Sequence, residues 1–154
     1  MIKLVLSDMD NTLIPFGARH VSPRTLEAIH DVINVGIHFG PDTGRDYVEL
    51  MRFFHMDESC FMTGIMSNGK RVRVDGRDVW TYSIPHDWLQ RVADALKPER
   101  GMFLVCFPLD TNLFNPGYAV GASEEEMSKY ERLVHFNGGR VEDVPNIDFI
   151  AAAI

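Results

Sequence analysis

Two aspartates separated by one residue, Asp8 and Asp10, follow the apolar run Leu4-Val5-Leu6, and Thr12 stands two positions further on. Along an extended segment, residues i and i+2 project to the same side, so both carboxylates can face one point. Close carboxylates repel, and a hard divalent cation with oxygen ligands is the simplest charge to offset that. Asp and Asn also populate ordinary strand-to-loop turns, where their side chains bond nearby backbone. On these residues alone both readings stand. Two more polar clusters follow apolar segments: Thr43-Gly44-Arg45 and Ser67-Asn68-Gly69. Arg45 offers a guanidinium to a phosphate or substrate oxygen, or else pairs locally with Asp42 or Asp46. Asn68 either hydrogen-bonds into a cleft or takes a left-handed turn position before Gly69.

The elements around these clusters give them a common place. The apolar run over residues 2–7 predicts a strand buried on both faces of a parallel sheet. Ser22-Pro23 predicts a helix start, with Leu26, Ile29, Val32 and Ile33 at helical spacing and Gly36 as the stop. A strand over residues 37–40, a helix over 46–56 and a third strand over 60–63, closed by Gly64, complete a β-α-β-α-β pattern. Strand ends of one parallel sheet converge on one edge, and ligands bind there. The rhythm then changes. Residues 70–74 and 78–82 alternate like hairpin strands around Asp75-Gly76. A helix over 85–97, a strand over 101–107, a loop over 108–123 broken by Asn112, Asn115, Pro116 and Gly117, and a helix capped by Ser123 follow. Glu124, Glu125 and Glu126 suit the positive end of that helix, as a solvated start and not a metal site. Residues 149–154 predict a last strand. A boundary near residue 83 separates a first domain, 1–83, from a second, 84–154.

Composition narrows the class. Of 154 residues, 45% are hydrophobic and 24% charged, which is ordinary for a folded domain with a core. A formal net charge of -7, with no Lys/Arg cluster, speaks against nucleic acid as a partner. An anionic substrate would then need a metal ion or a few placed basic groups. Cys60 and Cys106 stand singly in apolar surroundings, in neither a CxxC pair nor a metal-ligand cluster, as expected of buried reduced thiols in a cytoplasmic protein. His20, His30, His38, His55, His86 and His135 show no ligand spacing. No signal peptide is expected, and no run approaches the ~20 apolar residues that span a bilayer.

Taken in order, the three clusters resemble the haloacid dehalogenase (HAD) superfamily, and within it the Cof-type phosphatases with a type IIB cap. The DxDx[TV] motif matches Asp8-Met9-Asp10-Asn11-Thr12, the TGR element Thr43-Gly44-Arg45, and the SNG element Ser67-Asn68-Gly69. Val21-Ser22-Pro23-Arg24-Thr25 mirrors the branch's helix start. The resemblance implies an α/β fold: part of a Rossmann-like core, then an α+β cap that is incomplete. It implies an Mg²⁺-dependent phosphatase acting on a small phosphorylated metabolite, such as a sugar phosphate, through an aspartyl-phosphate. Asp8 would be the nucleophile, already ionised at neutral pH since a free aspartate has a pKa of about 3.9. Asp10 would be the general acid and base, for which it must hold a proton at neutral pH. Thr12, Thr43, Gly44, Arg45 and Asn68 would bind phosphate or substrate. The metal would be held by the Asp8 carboxylate and the Asp10 backbone carbonyl. Asn11 replaces the glycine usual in this branch.

The family also uses a later lysine and a GDxxxD-type acidic loop, and nothing after Gly101 matches either. Lys70, Lys97 and Lys129, and the loop acids Asp110, Asp143 and Asp148, stand outside those motifs. The expectation is an N-terminal portion of a longer enzyme, with an unpaired first-strand edge that favours a homodimer. Two other functions compete: a catalytically incompetent, phosphate-binding half-site, and a receiver-type phosphoacceptor. The latter needs an aspartate after the third strand, where Met62-Thr63-Gly64 stands instead.

Overall fold

Strand β1 (Leu4–Ser7) lies parallel to β2 (His38–Pro41), with Leu4 opposite His38 and Ser7 opposite Pro41. The computed structural model describes residues 1–110, 117–134 and 138–154; the breakers Asn112, Asn115 and Pro116, and His135, lie outside the described residues. Helix α1 (Pro23–Asn34) connects the two strands. Its Ser22 hydroxyl accepts from the Thr25 N–H at 3.1 Å, and Pro23 needs no such partner at the first helical position. Gly36 then takes φ +80, which a glycine adopts at little cost. Helix α2 (Tyr47–Phe53) opens on a reciprocal capping box. The Glu49 N–H donates to Asp46 Oδ1 at 2.9 Å, and Glu49 Oε2 accepts from the Asp46 N–H at 3.4 Å.

The predicted third strand is corrected. Glu58–Phe61 forms a 3₁₀ turn in which Asp57 accepts from the Ser59 N–H, and Cys60 and Phe61 are buried. A short apolar run has the same composition whether it is a buried turn or a buried strand, so periodicity could not separate them. The strand β3 is instead Gly64–Met66, begun rather than closed by Gly64. It meets β2 through one parallel bridge, Asp42 to Ile65, with the Thr43 N–H donating to the Ile65 carbonyl at 2.9 Å. β3 then pairs antiparallel with β4 (Arg71–Val74), and β4 with β5 (Arg77–Thr81), around the expected Asp75-Gly76 turn. A Cβ on Gly40 would lie 1.6 Å from the Thr63 carbonyl oxygen, so only glycine permits this approach.

Burial of β1 on both faces is also corrected. Leu4 and Leu6, which share one face of β1, are exposed, while Val5 on the other face packs against the core. The core of this unit, Met1–Tyr82, gathers Met9, Ile29, Phe39, Leu50, Phe54 and Phe61 from α1, α2, β2 and the intervening turns. Full burial of such side chains contributes roughly 1.5–3 kcal/mol each.

The second unit, Ser83–Ile154, is built on a four-stranded sheet. Its strands β6 (Leu104–Pro108), β7 (Tyr118–Val120), β8 (Gly139–Val141) and β9 (Phe149–Ala153) stand in the order β8-β7-β6-β9. Strand β7 lies inside the predicted loop, a segment too short to show a period. Alternation along β6 sends Leu104 and Cys106 toward Leu89 and Ala93 of α3 (His86–Leu96), and Val105 toward Met127 of α4 (Glu124–Val134). Each helix thus covers one face. Ser123 caps α4 as predicted: its Oγ accepts from the Glu126 N–H at 3.2 Å, and Glu126 Oε2 accepts in return from the Ser123 N–H at 2.8 Å. No helix among the described residues is long and apolar enough to cross a membrane.

Candidate active site

The loop after β1 folds back on itself within six residues. The Asn11 N–H donates to the Ile14 carbonyl at 2.8 Å and the Ile14 N–H to the Met9 carbonyl at 2.9 Å. Asn11 sits at φ +61, a left-handed position that asparagine tolerates better than most residues, which accounts for its standing where the family prefers glycine. Met9 is wholly buried and anchors the loop, while Asp8 and Asp10 are exposed on either side of it. The Thr12 hydroxyl donates to Asp8 Oδ2 at 3.4 Å, a long bond that orients more than it stabilises.

The loop after β2 joins it through one side chain. Arg45 Nη2 donates to Asp10 Oδ1 at 2.6 Å, and Nη1 to Glu49 Oε1 at 3.2 Å. The guanidinium also lies 4.1 Å over the Phe53 ring. Arg45 is therefore held between a carboxylate on each side and an aromatic face below. Of the two readings of Arg45, the local pair is present, but with Glu49 and not Asp42 or Asp46, and it coexists with the reach to Asp10. Thr43 is buried, and its Oγ1 accepts from the Arg45 N–H at 3.2 Å.

The third loop is stitched to the second by backbone. The Ser67 N–H donates to the Arg45 carbonyl at 2.9 Å, and the Asn68 N–H to the Thr43 carbonyl at 3.2 Å. Ser67 and Asn68 both take left-handed angles, φ +52 and +55. The turn position read for Asn68 is thus occupied, and its side chain also points at the second loop: a Cβ on Gly44 would lie 2.8 Å from Asn68 Oδ1. Asp10, Thr43, Gly44, Arg45 and Asn68 are brought together in this way, and Asp8 and Thr12 form the neighbouring pair.

Three residues that the sequence did not assign a role in the site, Ser67 and Lys70 among them although both were considered, belong to the same place. Glu49 is four residues after Arg45, the helical spacing for an ion pair, and was hidden by its capping role. Among the described residues, the buried Ser67 hydroxyl has no hydrogen-bond partner. Lys70 Nζ donates to the Ser67 carbonyl at 3.0 Å, which puts a cation beside the third loop. An N–H-rich, left-handed loop, a buried free hydroxyl and two cations suit an anion with several acceptor oxygens.

A family model described as haloacid dehalogenase-like hydrolase matches residues 5–149. The structure superposes on a hypothetical protein from Geobacillus kaustophilus with a TM-score of 0.74 at 18% identity, over 99% of this chain and 57% of that one. A phosphatase of the haloalkanoate superfamily from Bacteroides thetaiotaomicron gives a TM-score of 0.65 at 22% identity, over 93% and 50%. A sugar phosphatase of HAD subclass IIB gives 0.58 at 19% identity, over 90% and 52%. No curated protein sequence matches. The chain spans about half the length of the solved structures it resembles. With three loop motifs at the ends of β1, β2 and β3, and a family match over nearly its whole length, this chain belongs to the haloacid dehalogenase-like hydrolases.

Proposed function

We propose that this chain carries the nucleophile half of a phosphomonoester hydrolase acting on small phosphorylated metabolites of the sugar-phosphate type. The observation that carries the reading is the Asp10–Arg45 contact, which ties the carboxylate loop to the phosphate-binding loop. The Asp8 carboxylate attacks phosphorus, the leaving alcohol departs, and an aspartyl-phosphate remains on Asp8. Asp10 gives a proton to that alcohol and then takes one from the water that attacks the phosphorus, freeing Asp8 and inorganic phosphate. Asp10 Oδ1 is an acceptor of the Arg45 N–H, so the transferable proton belongs on Oδ2. Thr12 orients Asp8. Thr43, the Gly44 backbone and Asn68 receive the phosphoryl oxygens, and Gly44 lets them approach because it carries no Cβ.

The donor set fits Mg²⁺: two exposed carboxylates one residue apart, with backbone carbonyl and water oxygens to complete six positions. The residues that would hold it are Asp8, through its carboxylate, and Asp10, through its backbone carbonyl. When bound, such an ion offsets charge on the transferring phosphoryl group. The second unit, α3, α4 and their four-stranded sheet, is the cap in this reading, excluding water and selecting substrate.

A phosphate-binding half-site without turnover is the second reading, favoured by the lack in this sequence of a match to the family's later lysine and GDxxxD-type acidic loop. Assaying p-nitrophenyl phosphate and a sugar-phosphate panel with Mg²⁺, for this chain and for Asp8→Asn, separates the two. Turnover lost in Asp8→Asn supports hydrolysis. Equal background rates, with inorganic phosphate still protecting the loops from proteolysis, establish the half-site.

A further inference from the structure

Where α1 meets the 3₁₀ turn Glu58–Phe61, three side chains of different chemistry converge. His30 Nε2 lies 2.8 Å from Asp57 Oδ2 and 3.6 Å from Cys60 Sγ, and the three donor atoms all fall within 4.8 Å of one another. Sequence spacing gave no sign of this, since α1 and the 3₁₀ turn Glu58–Phe61 are brought together only by the fold.

One ring nitrogen faces both the carboxylate and the sulfur, so its single proton or lone pair serves one of them at a time, while the Cys60 thiol also has the Asp57 carboxylate within hydrogen-bond reach. This also excludes a nucleophilic Cys-His-Asp relay, in which the acid must hold the other ring nitrogen. A cation at the focus satisfies all three donors at once.

We propose that His30 Nε2, Asp57 Oδ2 and Cys60 Sγ form a binding site for a thiophilic divalent metal ion of the zinc class. Bonds of about 2.3 Å to sulfur, 2.0 Å to nitrogen and 2.1 Å to oxygen at tetrahedral angles put the S···N and N···O edges at roughly 3.5 and 3.4 Å. The observed S···N separation already matches, and the N···O edge opens on losing its shared proton. Asp57 is prepared for the role: its other oxygen, Oδ1, accepts from the Ser59 hydroxyl at 2.6 Å and the Ser59 N–H at 3.1 Å, leaving Oδ2 to the ion. Cys60 is buried while the His30 and Asp57 side chains are 43% and 33% exposed, so solvent reaches the fourth position. Burial pushes the Cys60 thiol up to about 12, and a coordinating cation reverses this by releasing its proton to solvent. Magnesium, which demands oxygen ligands, does not compete for this site.

Titration of the full chain with Co²⁺ reads the site directly through the thiolate-to-cobalt charge-transfer band. The proposal expects the band to saturate at one equivalent, to vanish on adding Zn²⁺, and to persist in Asp8→Asn and Cys106→Ser. Cys60→Ser and His30→Gln should lose it, and should weaken zinc by more than the about 10- to 100-fold that loss of an outer-sphere partner costs. His30→Gln keeps a donor for Asp57 and so keeps the fold, which circular dichroism verifies; it decides the matter if Cys60→Ser fails to fold. No charge-transfer band, or one that survives in folded His30→Gln, overturns the proposal.

Discussion

Arg45 and Asp10, thirty-five residues apart in sequence, meet at 2.6 Å between Nη2 and Oδ1. The contact fixes the distance between the loop that would attack phosphorus and the loop that would hold it. Asp10 is 64% exposed in its side chain and Arg45 23%, so solvent screens the pair and its share of stability is at most about 1 kcal/mol. Its consequence is positional. Arg45→Ala should leave the unfolding midpoint nearly unchanged, while kcat/KM for phosphomonoesters falls roughly 10- to 100-fold, as for loss of a charge-assisted bond. A comparable loss of stability and activity together would assign Arg45 to structure alone.

Gly44 and Asn68 form the second test. An alanine Cβ at position 44 meets Asn68 Oδ1 at 2.8 Å, and the side chain of Asn68 can swing away. Gly44→Ala should therefore impair phosphate binding with little change in stability. In an Asn68→Ala background the same substitution should cost much less. Additive losses in that double-mutant cycle would contradict the contact.

Gly40 behaves differently, because its obstacle is backbone. A Cβ there would overlap the Thr63 carbonyl at 1.6 Å, which no rotamer change relieves. Gly40→Ala should destabilise the first unit by more than about 3 kcal/mol by separating β2 from β3. Chemical denaturation of the variant measures this, and a midpoint near that of the wild type refutes the close approach.

Alkaline conditions should weaken the fold through its two buried thiols. Burial raises Cys60 to about 12 and Cys106 to about 11, from an ordinary 9.0. A raised value means stability fully present below pH 9.0 and lost as pH rises through 11 and 12. Cys60→Ala should be less stable at neutral pH, from the cavity, yet lose less on going alkaline. At the acid end, the Ser59 hydroxyl, and after it His30, lowers Asp57 below 3.8, so its contribution is present above that value and disappears as pH falls through the lowered one.

The edge of β1 offers another prediction. Leu4 and Leu6 are exposed beside a strand edge that has no partner among the described residues. Sedimentation should show concentration-dependent association that Leu6→Lys reduces. A wild-type chain that stays monomeric at high concentration would count against it.

Much of this is legible in the sequence. Ser22-Pro23, Asp75-Gly76 and Ser123 carry local signals, and the structure places a helix start, a hairpin turn and a helix cap there. The three loop motifs were legible because each follows an apolar run. The 3₁₀ turn at Cys60 was not, since four apolar-flanked residues have no period to reveal their conformation. Strand β7 was too short to distinguish from loop. Glu49 behind Arg45, and His30 beside Cys60, depend on side chains that only the folded chain brings together.

The central claim is that Asp8 attacks phosphorus. Acid-quenching the chain within one turnover of a phosphorylated substrate and Mg²⁺, then mapping phosphate by mass spectrometry, tests it directly. The account predicts an acid-stable, hydroxylamine-sensitive phosphate on the peptide containing Asp8, absent from Asp8→Asn. Substrate turnover with no phosphate on Asp8, or turnover undiminished in Asp8→Asn, would contradict it.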